Sequence, residues 1–353
     1  MRPWCLTLSC VLSTLLTLSP LPAHAQETTA TVVGTVTDSS GGVLPGVTVS
    51  LRHTATGRTF DAVTSTEGGY VATLLPIGGY EITFNLSGFQ SRTVRGVNLA
   101  VNDRVQIDAS LSPGGVSEVV EVTGRVLPQA TTAVQNLIDS RQVQELPINN
   151  RNFAKLAELA PGVSSDLADE VGVGLTSNMS LSVNGARRNG LNWLVDGVMN
   201  VDVGSNITLL STPTLESIEQ FKIITSSYAA EWPRSGGGII NVVTKSGTSR
   251  FTGSAYEFFR NDSLNSNSYF RQLSTDPAIR DNAPELKYNN FGATIGGPVM
   301  PGKMFFFYSQ EFRRITRAPG SLTANVPNPE WLTDPTSPNY VPPAERDPIA
   351  VRL

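Results

Sequence analysis

IEQFKIITSSYAAEWPRSGGGIINVVTK, residues 218–245, reads as a strand, a polar turn, three glycines and a second strand, with β-branched residues dense on both sides. A phosphate-binding loop needs its glycines to open a helix, so that the helix N-terminus faces the anion. Here Gly236, Gly237 and Gly238 open Ile239-Ile240-Asn241-Val242-Val243-Thr244, a strand by its β-branching. Lys245-Ser246 looks like the tail of a Walker motif, but Thr244 stands where that motif requires glycine. The run is therefore two strands around a glycine-bearing turn, and the nucleotide reading fails.

The rest of the chain sets bounds on what those strands belong to. Its 353 residues are 40% hydrophobic and 16% charged, with a formal charge of -4. That length suits two or three domains, and the acidic balance argues against nucleic acid, which favours a basic surface. Both cysteines, Cys5 and Cys10, lie in the first ten residues. Arg2, the apolar stretch Leu6 to Leu18 and Ala23-His24-Ala25 form a secretory signal over residues 1–25, with the mature chain expected from Gln26. Lipoprotein attachment at Cys10 is not expected, because the apolar stretch follows that residue. No later segment carries the roughly 18 apolar residues of a spanning helix, so membrane entry would have to use β-strands.

With Ser246, Gly247 and Thr248, the opening run resembles the end of the plug domain of TonB-dependent outer-membrane transporters. Ile218, Glu219, Phe221, Lys222, Tyr228, Ala230, Glu231, Arg234, Gly237, Gly238, Asn241, Thr244 and Lys245 match the family pattern. Pro233 departs from it, standing where the family places glycine, and its fixed φ and missing N–H alter the local turn. Upstream, Glu145-Leu146-Pro147-Ile148-Asn149-Asn150-Arg151-Asn152-Phe153 resembles a signature of the Oar-like branch. Phe153, Leu156, Ala157 and Ala160 fit one face of a short helix, which Pro161-Gly162 ends. Asp196-Gly197 between apolar residues predicts a tight hairpin. The resemblance implies an α+β plug over residues 128–246.

Between residues 31 and 112, short alternating runs recur between Gly, Pro, Asn and Asp. Val47, Val49 and Leu51 form one, Tyr80, Ile82 and Phe84 another, and Val105, Ile107, Ala109 and Leu111 close the series. About seven strands of this kind predict a small β-sandwich. The patterns GTVTDSSGGVLPGVTVSLRHTATG (34–57), STEGGY (65–70) and LPIGGY (75–80) resemble the carboxypeptidase regulatory-like domain, a transthyretin-like, starch-binding-like sandwich. No peptidase is implied: the mature chain has one histidine, His53, read as a solvated surface residue at a strand end. A carbohydrate-binding module is an alternative that the fold relation raises, although no exposed aromatic pair marks a sugar platform.

Residues 113–127 are read as a linker. Within it Glu118-Val119-Val120-Glu121-Val122-Thr123 resembles, in position and composition, the TonB box that the periplasmic protein TonB captures by strand addition. A first plug strand or a connecting strand fits the same six residues.

No G-x-S-x-G, H-E-x-x-H or C-x-x-C motif accompanies Asp196, Asp202 or Glu219, so an enzyme is not expected, and neither a cofactor nor a metal. Asp196 reads as a turn residue. Arg187, Glu231 and Arg234 read as solvated loop charges or as plug–barrel ion pairs, since a plug in a wide polar lumen needs polar contacts that can be released.

Residues 250–353 resemble the N-terminal part of an Oar-like transmembrane barrel. FTGSAYEFFR (251–260), NFGATIGG (290–297) and KMFFFYSQEFR (303–313) predict strands near the ~10-residue length of tilted membrane strands. Phe291, Ala293 and Ile295 alternate with Asn290, Gly292, Thr294 and Gly296, an apolar face opposite a small polar one. A polar stretch from Asn261 to Lys287 reads as an outer loop, and eight prolines follow from Pro319 on. Plugged transporter barrels take about 22 strands, so three strands lead to the expectation of an N-terminal fragment.

Overall, the sequence predicts a mainly β chain: signal, sandwich, plug and the first strands of an incomplete barrel. The resemblance implies a Gram-negative outer-membrane location with the sandwich in the periplasm. Its implied partners are TonB with its inner-membrane energising complex, outer-membrane lipid and an unidentified substrate. The alternatives are a structural or adhesive outer-membrane protein of the same fold, and a secreted binding module.

Overall fold

Strand alternation sets the first layer of the architecture. A computed structural model describes residues 28–114, 118–121, 133–148, 150–165, 181–228 and 236–317, with 335–336, 340 and 342–343. The signal, Val122, Thr123, Glu231, Arg234 and nearly all of the proline-rich tail lie outside the described residues. By contacts the chain forms two compact units, residues 1–258 with 290–313, and 259–289 with 314–353.

The first unit begins with the sandwich. Its strands are β1 (Thr29–Asp38), β2 (Thr48–His53), β3 (Thr59–Val63), β4 (Gly69–Pro76), β5 (Gly78–Asn85), β6 (Arg92–Leu99), β7 (Arg104–Gln106) and β8 (Ala109–Leu111). One sheet runs β4-β1-β7, with β8 also on β1; the other runs β3-β2-β5-β6 and adds a fifth strand, β9 (Glu118–Glu121). The alternating positions meet between the sheets. Val49, Leu51, Ile82, Phe84, Val97 and Val105 are wholly buried. Burying such side chains supplies about 1.5–3 kcal/mol each. Tyr70 meets Phe84 edge-on with centroids 5.8 Å apart, and its hydroxyl donates to the Ile107 carbonyl at 2.8 Å. That bond removes the cost of burying a phenol.

His53 is not the solvated residue that its polar neighbours suggest. It is 7% exposed, with Nδ1 2.7 Å from Thr56 Oγ1 and Nε2 3.2 Å from the Ile77 carbonyl. Period two explains the error. Val49, Leu51 and His53 share the inward face of β2, and the ring packs 5.1 Å from Tyr80.

The plug is a mixed sheet in the order β10-β15-β16-β13-β14. Its strands are β10 (Val134–Asp139), β13 (Leu191–Val195), β14 (Val198–Met199), β15 (Ile218–Ser226) and β16 (Gly238–Thr244). A separate pair joins β11 (Val163–Ser165) to β12 (Leu181–Val183). The deciding run of sequence is thus the antiparallel pair β15–β16, with β16 also parallel to β13. One sheet face, with Phe221, Ile223, Ile240, Val242 and Trp193, packs against Phe153, Leu156 and Ala157 of the 3-10 helix Phe153–Leu159. The four residues predicted to share a helix face are all buried, three of them in a tighter helix than α and Ala160 as its C-cap.

The last strands are β17 (Thr252–Asn261), β18 (Leu286–Met300) and β19 (Met304–Arg317), one open three-stranded sheet. β18 and β19 outrun their predicted ends, at 15 and 14 residues. The face alternation holds: Asn290 and Gly296 are buried, while Ile295, Tyr308 and Phe312 are exposed. Phe291 stacks on Phe312 at 5.4 Å. An apolar outward face of this kind suits lipid.

In the second unit the predicted loop is ordered by side-chain caps. Asp276 Oδ1 accepts from the Ala278 amide at 2.8 Å to start the helical turn Pro277–Arg280. Asn267 Nδ2 donates to the Ile279 and Arg280 carbonyls at its end.

Candidate plug–barrel contact site

The E-L-P-x-N-x-R-N-F stretch builds the centre of the site. Asp139 caps the helix Ser140–Glu145 in a reciprocal capping box with Gln142. The chain then turns, and Asn152 Oδ1 accepts from the Ala154 amide at 3.0 Å to start the 3-10 helix. Between them Arg151 adopts φ 50°, a left-handed conformation uncommon outside glycine. Backbone strain of this kind persists where surrounding structure holds it, commonly at functional positions.

The Arg151 side chain is 6% exposed. Its Nη2 donates to Glu216 Oε1 at 3.0 Å, and Glu216 Oε2 also accepts from Gln144 Nε2 at 3.1 Å. Glu216 stands on the short turn Leu215–Ser217 that leads into β15. Arg151 also reaches the barrel strands. Its guanidinium carbon lies 3.9 Å from the Phe258 ring centroid and 5.1 Å from that of Tyr256, both on β17. Cation–π contact of a desolvated guanidinium contributes about 2 kcal/mol. Its Nε is 4.0 Å from Glu311 Oε2 on β19 and makes no hydrogen bond. Glu311 is 5% exposed; it takes an ion pair from Arg313 at 2.7 Å and a hydrogen bond from the Tyr256 hydroxyl at 3.2 Å. A second link joins Thr214 Oγ1 and Ser309 Oγ at 3.0 Å.

The network balances two guanidinium groups against two carboxylates. It is cohesive but not sealed, because one buried donor, Arg151 Nε, has no acceptor, and an unmade buried bond costs about 1–3 kcal/mol. The charged hydrogen bonds lie within each side, Arg151 to Glu216 in the plug and Arg313 to Glu311 on β19. The two sides meet where the Arg151 guanidinium faces Phe258, Tyr256 and Glu311 and where Thr214 meets Ser309.

Of the residues singled out from sequence, Asp196 and Gly197 form the predicted two-residue hairpin between β13 and β14, with φ 49° and 77°. Both positive angles are those of a type I′ turn. Asp196 further accepts from the Thr244 amide and hydroxyl, each at 2.8 Å, fastening the turn to the end of β16. Asp202 holds its own loop through Gly204 and Ser205. The Gly236 and Gly237 amides both donate to the Gly190 carbonyl at 2.9 Å. Gly238 has φ 153°, and a Cβ there would sit 3.0 Å from the Ile224 carbonyl oxygen. Asn241 is 1% exposed in β16, with neither amide atom hydrogen-bonded. The Lys245 amide donates to the Ser217 carbonyl at 2.7 Å. Burial raises the Glu219 carboxyl above its ordinary range, opposed by Lys245.

Arg187 is exposed and makes no ion pair among the described residues, while Arg151 lies 4.0 Å from Glu311 on β19. Glu231 and Arg234 lie outside the described residues. Glu118–Glu121 is not a plug strand. It is β9, parallel to β6 with Arg92 opposite Glu118, at the edge of the sandwich sheet. The sequence did carry one signal for Arg151: a charge set between Ile148 and Phe153, both of which belong to or pack on the plug core.

Three family profiles match the chain: the carboxypeptidase regulatory-like domain over residues 31–112, the TonB-dependent receptor plug domain over 127–239, and an outer membrane beta barrel domain over 243–350. Over residues 127–239 the chain is similar to the plug of TonB-dependent receptors, and over 243–350 to an outer membrane barrel. A curated relative, the TonB-dependent transporter Oar of Myxococcus xanthus, is 29% identical over 300 residues, which is 81% of this chain. The chain spans 26% of that relative's length. Among solved structures, the siderophore receptor PirA from Acinetobacter baumannii matches 53% of this chain and 25% of its own, at 17% identity and a TM-score of 0.38. The catechol 1,2 dioxygenase of Acinetobacter radioresistens matches 28% of this chain and 58% of its own, at 14% identity and a TM-score of 0.21. Neither structural likeness is close enough to carry an argument. Arg151 and Glu216 fall within the plug match, and Tyr256, Phe258, Glu311 and Arg313 within the barrel match.

Proposed function

We propose that this receptor serves energised uptake of an unidentified substrate across the outer membrane, with TonB acting through the Glu118–Thr123 segment. The supporting observation is the chemistry of the plug–barrel contact. A permanent stopper is best sealed by apolar packing, whereas here the Arg151 guanidinium faces the barrel strands, 4.0 Å from Glu311 and against the rings of Phe258 and Tyr256, a polar contact that water can replace. On this reading substrate binds on the outer side, TonB captures the segment by strand addition, and the plug gives way at the Arg151 network. The protein contributes binding and gating, with no covalent step.

The test is co-purification of the full chain with the periplasmic part of TonB, with and without residues 118–123. Loss of TonB on deletion supports import through this segment. Unchanged recovery overturns it and leaves the structural outer-membrane protein as the better reading.

A further inference from the structure

The sandwich is docked on the plug by a buried joint. Lys222, in the middle of β15, donates from Nζ to the Val101 carbonyl at 2.6 Å and to Asp103 Oδ1 at 3.1 Å. The side chains of Lys222 and Asp103 are 1% and 0% exposed. The Val101 amide donates to Gln220 Oε1 at 2.9 Å, and Asp103 Oδ2 accepts from the Ala100 amide at 3.0 Å, which shapes the loop that carries it. Plug folding alone does not need a lysine at this position, because Lys222 points away from the core face that holds Phe221 and Ile223. A buried ion pair is weak as a stabiliser and serves specificity better. Here it fixes where the sandwich sits.

The same strand carries the other contact. Glu216, the partner of Arg151, stands two residues before the start of β15, and Gln220 and Lys222 follow it four and six residues later. At about 3.3 Å per extended residue the two contacts are at most about 20 Å apart. Strand β15 is paired on both sides, with β10 and β16, so it cannot shift at one end alone. One irregularity lies between the two ends, a β-bulge where Glu219 is the extra residue opposite β16.

We propose that β15 couples the Arg151–Glu216 pair, which holds Arg151 against the barrel strands, to the sandwich joint at Lys222–Asp103, so that releasing either loosens the other. The sandwich is then a regulatory domain of the plug. Anything that pulls or binds it acts on the gate, and gate release is felt at the sandwich. Coupling of this kind is reciprocal by thermodynamic necessity. It stands apart from the uptake reading, because it requires neither TonB nor substrate.

The experiment is hydrogen exchange on the full chain in detergent micelles. Arg151→Met, which touches nothing in the sandwich, is expected to speed exchange of the Val101 amide about fivefold or more. In the reverse direction, Asp103→Asn and Lys222→Met are each expected to speed exchange of the Ser217 amide, which bonds the Thr214 carbonyl at 2.9 Å. Leu181→Ala, in the plug core on β12, supplies the control for general loss of stability. The proposal is overturned if Val101 exchange is unchanged in Arg151→Met, or if Leu181→Ala raises it equally at a matched fall in melting temperature. It is also overturned if both joint variants leave Ser217 as protected as in the parent chain. Proportionate effects in both directions, absent from the control, establish the coupling.

Discussion

Replacing Arg151 with methionine keeps most of the side-chain volume and removes the charge. Two consequences follow from the geometry. Glu216 loses its 3.0 Å partner while 12% exposed and keeps only the Gln144 amide. Glu311 loses a 4.0 Å neighbour but keeps Arg313 at 2.7 Å, so its burial stays compensated. Removing one partner from a buried pair costs about 3–5 kcal/mol. The surviving Gln144 bond and the relief of the unbonded Nε place this site at the low end, about 3 kcal/mol. In a cooperative unit of this size 1 kcal/mol moves the melting temperature by about 2–4 °C, so a fall of about 6–12 °C is expected. Trp193, buried in the plug core and edge-on to Phe153 at 5.9 Å, reports the transition by fluorescence once Trp4, Trp232 and Trp331 are phenylalanine. Adding Glu216→Gln to Arg151→Met is expected to restore part of the loss, because the stranded charge is gone. A melting temperature within 2 °C of the parent for the single variant, or a further fall for the double, would refute the assignment of Arg151 as the buried partner that Glu216 depends on.

Asp103→Ala leaves the Lys222 ammonium buried on the Val101 carbonyl without its counter-charge, a cost of about 3 kcal/mol, whereas the pair Asp103→Leu with Lys222→Met is expected near the parent in urea unfolding; equal losses in both would contradict the reading of this joint. Burial holds the His53 pKa below its ordinary 6.5, so the unfolded chain binds that proton more readily. The sandwich is therefore expected to lose stability as pH falls below about 6.5, and His53→Gln should flatten that part of the profile. Burial raises the Glu219 pKa above 4.5, so its contribution is favourable at low pH and lost as pH rises through the folded value. Glu219→Gln should consequently narrow the stability gap between pH 4 and pH 7, and an unchanged gap counts against the assignment. Gly238→Ala is expected to cost about 1–3 kcal/mol from backbone strain at φ 153°, read as a lower urea midpoint.

The order of modules and most strands were legible because period-two alternation and turn residues are local properties. Asp196-Gly197 specified its hairpin for the same reason, since few residues accept positive φ at two successive positions. The strand β9 was legible as a strand but not as the sandwich's own edge, because its partner β6 lies more than twenty residues upstream and Val and Glu specify no partner. His53 was misjudged because its polar neighbours in sequence are not its neighbours in space.

The candidate site shows the same division more sharply. Sequence alone determined that a plug-type sheet precedes amphipathic strands, and that Arg151 and Lys222 stand inside family-like motifs. It could not assign their partners. Arg151 meets Glu216 and Glu311 at separations of 65 and 160 residues, and Lys222 meets Asp103 at 119. Charged side chains are interchangeable at the level of pattern, and folding decides which pairs leave water together. Only the tertiary structure, by burying Arg151 beside Glu216 and Lys222 beside Asp103, decided which pairs those charges form.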